Sequence, residues 1–193
     1  VVPLFDIYTT LRYYLVMKAL DQNKFLTDKE LNSLLTLCNQ HSGQRDSIII
    51  RFTLFTGARG CEALAVKKRD LAGGAVTIRG AKGSNDRVVP LDAGFFQEVS
   101  EYARNMADDD RLFPIAVRTF RHIWNLYRPN HKKGVHCLRH TYGVRLYQNC
   151  ENVFTVKSAL GHVSISSTMV YLDFVESQRK LKQAAKGMWK KVA

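Results

Sequence analysis

Three short stretches of this chain hold side chains whose types and spacing suit one kind of chemistry. The first is Thr56-Gly57-Ala58-Arg59-Gly60-Cys61-Glu62-Ala63-Leu64. The second is His136-Cys137-Leu138-Arg139-His140-Thr141-Tyr142. The third is Leu160-Gly161-His162, with Tyr171 nine residues after that histidine. A phenol held among fixed cations is equipped to attack a phosphodiester. The phosphoryl group gains charge on its non-bridging oxygens in the transition state, and planar guanidinium forks match those oxygens better than ammonium groups do. Two arginines from different elements can clamp both oxygens and keep the phosphate in line. The phenol, with a pKa of about 10, needs a neighbouring base or cationic surroundings to lose its proton. The leaving oxygen needs a proton from a lysine or a histidine.

Each residue also has a plainer reading. Arg59 follows a glycine turn at a helix start, where backbone donors lie nearby, but arginine is common on surfaces. Glu62, one turn further on, either orients the site cations or simply pairs with Arg59 at i,i+3. Lys82, in Gly80-Ala81-Lys82-Gly83, sits where a solubilising lysine is ordinary. His136 and Arg139 are one turn apart and share a helix face. His140 follows directly, is expected to point elsewhere, and reads as a buried, hydrogen-bonded support. His162 is held at a turn after Gly161. Tyr171 is one of eight tyrosines, so a packed aromatic is the competing reading.

The elements that must position these residues are mainly helical. Residues 4–20 are apolar at helical spacing, and Asp21-Gln22-Asn23-Lys24 reads as a linker. Thr27-Asp28-Lys29-Glu30 is a capping box that starts a helix running to about Asn39, broken by His41-Ser42-Gly43. Asp46 to Phe55 is apolar enough for a buried helix ended by Gly57. Ala75-Val76-Thr77-Ile78-Arg79 and Arg87-Val88-Val89-Pro90-Leu91 are β-rich runs around a turn-forming tip, which predicts a hairpin. Helical patterns return at about 93–105, 117–128, 137–149, 152–159, 166–172 and 176–190. The fold class is thus mainly α (α+β), with one small antiparallel hairpin or sheet.

Charge and composition agree with a nucleic-acid partner. Lys plus Arg number 29 against 17 Asp plus Glu, a net +12 over 193 residues. Such an excess favours a polyanion, because neutralising phosphates releases counterions, although some basic proteins bind none. Arg118, Arg121, Arg128, Lys132, Lys133 and Lys82 are candidate phosphate contacts. No window holds 18 consecutive apolar residues, and Asp6 and Arg12 interrupt the N-terminal apolar stretch, which therefore does not read as a signal peptide. Cys38, Cys61, Cys137 and Cys150 lack the CxxC spacing of a zinc site and fit reduced thiols in an intracellular protein. The chain opens at Val1-Val2-Pro3, without methionine, as a piece of a longer protein would.

Taken together, Arg59, Lys82, His136, Arg139, His162 and Tyr171 resemble, in order and spacing, the catalytic domain of the tyrosine recombinases, the phage-integrase family. The strings His-x-Leu-Arg-His-Thr and Ser-x-x-Thr-x-x-Tyr are the most specific parts, and the likeness covers about residues 25–175. Gly60 departs from the pattern, standing where a bulkier residue is common. The resemblance implies a site-specific recombinase acting on duplex DNA. Tyr171 would be the nucleophile that forms a 3′-phosphotyrosyl link. Arg59, Arg139 and His162 would stabilise the phosphoryl group. Lys82, at the tip of a mobile Gly-x-Lys-Gly hairpin, would protonate the leaving 5′ oxygen. His136 would assist proton removal or bind phosphate, with Glu62 and His140 in support. It implies no metal and no cofactor, a homotetramer on DNA (a monomer in isolation), and a cytoplasmic, nucleoid-associated setting. Residues 1–23 would be a linker from a missing core-binding domain, 24–175 the catalytic domain, and 176–193 a tail helix packing on its own core or on a neighbouring subunit.

Rival readings are a type IB topoisomerase or telomere resolvase, which share the chemistry without strand exchange, and a non-catalytic DNA-binding accessory module. The box spacing near Tyr171 favours the recombinase over the first pair. The presence of all six side chains argues against the module. A histidine metallohydrolase lacks a carboxylate at ligand spacing to His136, His140 and His162.

Overall fold

The computed structural model describes residues 20, 22–81 and 83–188. The helix expected over residues 4–20 therefore lies outside the described residues save Leu20, as does Lys82. Gln22–Lys24, expected as linker, forms a single 3-10 turn.

Helix α1 (Asp28–Gln40) starts as its sequence dictates. Thr27 accepts from the Glu30 amide, and the Glu30 carboxylate reaches back to the Thr27 amide at 2.9 Å. Helix α2 (Arg45–Thr56) is apolar on nearly every side and lies at the centre of the larger core, with Ile48, Ile49, Ile50 and Phe52 fully buried. Gly57 ends it in the left-handed conformation, φ 60°. A side chain there is excluded twice, by that φ and by Tyr142, whose ring would lie 2.5 Å from a Cβ.

After the short helix α3 (Gly60–Ala63) come strands β1 (Leu71–Ala72), β2 (Ala75–Ile78) and β3 (Arg87–Pro90), an antiparallel sheet in sequence order. The predicted hairpin is β2–β3, with Val76 opposite Val89 and Ile78 opposite Arg87. Strand β1 extends the expected hairpin into three strands. It turns into β2 through Gly73 and Gly74, both at positive φ, the backbone that a tight hairpin turn requires.

Helices α4 (Ala93–Tyr102), α5 (Val117–Tyr127), α6 (Cys137–Cys150), α7 (Val153–Leu160) and α8 (Ser166–Met188) complete the described chain. Asp92 caps α4 and Asn152 caps α7. The sequence predicts two helices over 166–172 and 176–190; the structure has one unbroken helix. No Gly or Pro lies between Ser166 and Glu176 to stop it.

Apolar side chains gather in two clusters. The larger surrounds α2 and takes in Leu138 of α6. The smaller joins α6, α7 and α8 through Val144, Tyr147, Val156, Leu160, Tyr171 and Val175. Helix α6 belongs to both, so its consecutive residues face protein on opposite sides.

Candidate active site

Arg59 is the N-cap of α3, and Glu62, three residues on, is almost fully buried. Glu62 accepts from the Arg59 amide at 2.9 Å through Oε2 and from Arg59 Nη1 at 3.0 Å through Oε1. It is more than an i,i+3 partner. Arg87 of β3 donates through Nη2 to Oε2 at 2.9 Å, and Arg139 of α6 lies 3.7 Å from the same oxygen. One carboxylate thus joins arginines from three elements. Burial alone would raise its pKa. The Arg59 amide and then Arg87 outweigh burial and hold the group at about 2, ionised at any ordinary pH.

Arg139 is 1% exposed. Its Nη1 donates to the Gly57 carbonyl and its Nη2 to the Leu160 carbonyl, both at 2.7 Å. Those carbonyls close α2 and α7, so the guanidinium sits on the negative ends of two helices. Burial, and then the nearby Arg59, lower its pKa to about 10, which still leaves it charged near neutrality.

Tyr171 projects from α8 into the smaller cluster and is 2% exposed. Its hydroxyl lies 3.0 Å from Nδ1 of His140, and its ring stacks on that of His162, centroids 6.4 Å apart and planes 10° apart. Gly143 makes room for it, since a Cβ there would come within 2.7 Å of the phenol ring. Burial pushes the Tyr171 pKa up to about 12, although Arg139 and Arg59 act in the opposite sense. His162 follows the left-handed Gly161 and is fixed through Nδ1 to the Thr168 hydroxyl at 2.8 Å. Burial, followed by Arg139 and Arg59, lowers its pKa to about 4.

His140 corrects an expectation. It is hydrogen-bonded, as expected, but it does not point elsewhere: it meets the Tyr171 hydroxyl directly, because α6 is enclosed on two sides and α8 packs along the face next to Arg139. Burial and then His136 lower its pKa to about 3, so the ring is neutral near pH 7. His136 is solvent-exposed on one side and meets His140 edge to face at 4.6 Å. Desolvation by its neighbours, then Arg139 and Arg59, lowers its pKa as well.

Lys133 is a second correction. It is 2% exposed and committed to the Glu30 carboxylate at 2.9 Å and to the Phe25 carbonyl, where it ties the loop before α6 to the start of α1. Its charge is paired with a carboxylate inside the fold and directed at Glu30, not outward to a phosphate backbone. Arg118 and Arg121 of α5 and Lys132 are exposed, while Arg128 is half-buried and donates to the His131 carbonyl. The hairpin that carries Lys82 is fastened on both sides of its tip. Ala81 N approaches Glu62 at 3.4 Å. Asn85 N and Ser84 Oγ donate to the Gly161 carbonyl at 2.9 and 3.0 Å.

Two members of the site were not singled out from sequence, Arg87 and Thr168. Arg87 had a signal: it alternates with Val89 along β3, so an arginine shares the buried face of a strand. Thr168 lies one turn before Tyr171 and was visible only as part of a box.

Comparisons with known proteins identify the family and the fold. The sequence profile of the phage integrase family matches residues 24–178. The chain is 30% identical over 178 residues to tyrosine recombinase XerA of Thermococcus kodakarensis, covering 84% of this chain and 63% of that protein. It is 30% identical over 152 residues to the integrase of Escherichia phage 186, covering 78% of this chain and 44% of that one. It therefore spans about half to two-thirds of the length of these relatives. Among solved structures, the XerH site-specific recombinase in a post-cleavage complex with a palindromic difH substrate superposes with a TM-score of 0.68 at 27% identity, over 86% of this chain and 53% of that one. The catalytic domain of bacteriophage HP1 integrase gives 0.61 at 28% identity, over 86% and 96%. The helical fold with its small sheet is that of a tyrosine-recombinase catalytic domain, and the chain belongs to the phage integrase family.

Proposed function

We propose that this chain is the catalytic part of a site-specific recombinase that cuts and rejoins duplex DNA through a 3′-phosphotyrosyl intermediate. The observation that carries the reading is the Tyr171 hydroxyl, held 3.0 Å from a neutral imidazole beside Arg139 and stacked on His162. The recombinases and integrases among its relatives, one of them solved with a cleaved substrate, support the same reading.

In this mechanism the phenol oxygen bonds to phosphorus as the bond from phosphorus to the 5′ oxygen breaks. His140 Nδ1 accepts the phenol hydrogen bond when the ring carries its own proton on Nε2, and so positions the oxygen. His136, its neighbour, takes the phenol proton or binds phosphate. Arg59 and Arg139 clamp the non-bridging oxygens. With Nδ1 of His162 accepting from Thr168, its Nε2–H can donate to one of them. Lys82, on the hairpin beside Glu62, gives the leaving oxygen its proton. A 5′ hydroxyl of a partner duplex then reverses the step. No metal or nucleotide enters, since the phosphotyrosine conserves the bond energy.

Four copies on two DNA sites are the assembly this chemistry calls for, with residues 24–175 as the catalytic domain. Residues 1–23 act as a linker and 176–193 as a tail between subunits. A chromosomal or phage DNA substrate places the protein in the cytoplasm. Arg118, Arg121, Arg128 and Lys132 supply phosphate contacts that are independent of base sequence.

The test is covalent trapping on a nicked suicide duplex bearing a candidate site, with chelator present. A denaturant-resistant DNA adduct, absent in Tyr171→Phe, is expected. An adduct that persists in Tyr171→Phe, or one that chelator abolishes, would sink the proposal.

A further inference from the structure

Arg87 has no part in the phosphate chemistry just described, yet it is built into the site. It is 8% exposed, and among the described residues only one of its guanidinium nitrogens has a partner: Nη2, on Glu62. Its Nε and Nη1 are buried without a hydrogen bond. Nη1 lies beside the turn that carries His162, 3.0 Å from where a Cβ on Gly161 would stand. Buried donors without partners are rare and call for a reason.

The reason lies in the charges around Glu62. Arg59, Arg87 and Arg139 surround a single carboxylate. Three positive charges against one negative leave an excess of two, which suits an approaching phosphodiester. The distribution matters more than the total. Arg139 stands 3.7 Å from Oε2, just beyond a hydrogen bond, while Arg87 occupies that oxygen at 2.9 Å. Without Arg87, a buried carboxylate would have an open lone pair next to the guanidinium that must bind phosphate. At low dielectric the two would close on each other, and one arm of the clamp would be neutralised.

We propose that Arg87 is a positioning residue: it holds Glu62 Oε2 so that the carboxylate orients Arg59 without neutralising Arg139. The proposal rests on the recombinase reading above. It differs from a purely structural role, in which Arg87 merely pins β3 to α3. A structural role predicts lower stability, with an unchanged rate for each folded molecule.

The experiment measures single-turnover adduct formation by the full chain at saturating nicked duplex, scaled to the folded fraction from circular dichroism. Arg87→Gln is expected to slow the step by about 10- to 100-fold and to leave duplex affinity near that of wild type. Arg87→Lys should recover part of the loss. Adding Glu62→Gln to Arg87→Gln removes the carboxylate that would trap Arg139, and should recover part of the loss, the remainder reflecting the carboxylate's hold on Arg59. A wild-type rate in Arg87→Gln, or a double variant no faster than the single one, overturns the proposal. If Arg87→Gln does not fold, Arg87→Lys takes its place. A loss there that Glu62→Gln fails to relieve is the overturning result, and relief or a near-wild-type rate supports it. Should wild type itself form no adduct, the recombinase reading is what has failed. Orthovanadate binding by calorimetry then reads Arg87 alone: weaker binding in Arg87→Gln, restored by Glu62→Gln, supports the assignment, and equal binding in all three overturns it.

Discussion

Arg139 carries full charge in the interior with backbone carbonyls, and, among the described residues, no carboxylate at hydrogen-bond distance, as its partners. The terminal carbonyls of two helices hold it by partial charges, so it is oriented while its own charge stays available. Lysine cannot reproduce this, since one ammonium does not span two carbonyls set for a fork. Arg139→Lys should slow adduct formation by about 10²- to 10³-fold in the trapping assay, with a smaller effect on duplex binding; a rate within a few-fold of wild type would count against the clamp. The histidines carry a pH consequence. His140 and His162 have pKa values of about 3 and 4 in the fold, against about 6.5 in an unfolded chain. Between these limits the unfolded state binds more protons, so their stabilising effect is whole above pH 6.5 and is lost as pH falls. Melting temperature should decline from pH 6.5 to 5, before the carboxylates titrate, and His140→Gln should flatten that decline. An equally steep decline in the variant would place the proton uptake elsewhere. At this scale the sequence was readable where a residue sits in a local pattern, as Arg59 and Glu62 do. It marked His140 as a buried, hydrogen-bonded support but could not name its partner, which is 31 positions away on another helix.

The pairing of α6 with α8 decides where the tyrosine stands. Gly143, in the middle of α6, is a poor helix former, and alanine there would gain about 1 kcal/mol of helix propensity. The Tyr171 ring occupies the space that the new methyl needs, at 2.7 Å, and overpacking of this kind costs about 1–3 kcal/mol. The second effect wins. Gly143→Ala should lower the melting temperature and displace the phenol, seen as a change in tyrosine near-ultraviolet dichroism that Tyr171→Phe removes. Unchanged melting would mean that the ring yields freely. Capped elements were legible in the sequence: Thr27 with Glu30 and Gly57 mark their boundaries by chemistry that needs no tertiary context. Strand β1 was not, because two residues carry no periodicity and form a strand only by pairing with β2. The unbroken α8 was missed for a related reason. The stretch from Leu172 to Glu176 has neither a stop signal nor a strong apolar stripe, and its continuity follows from packing on α6 and α7.

Over the whole molecule, the site lies along the seam between two apolar clusters. Arg59, Glu62 and Arg87 come from the side of the larger cluster, and His162 and Tyr171 from the smaller, with α6 common to both. No local pattern announces such a seam, although the order of the boxes along the chain allowed the family to be read before any geometry was known. Across it the Asn85 amide donates to the Gly161 carbonyl and Ser84 forms an isolated bridge with His162. That one amide is therefore a clock. Its hydrogen can exchange with solvent only while the hairpin and the histidine turn are apart. In deuterated buffer its lifetime should lengthen when the site is filled and shorten in Gly161→Ala, where a Cβ would meet the Asn85 carbonyl at 2.7 Å. A single exchange rate would then report how often the two halves of the site part company.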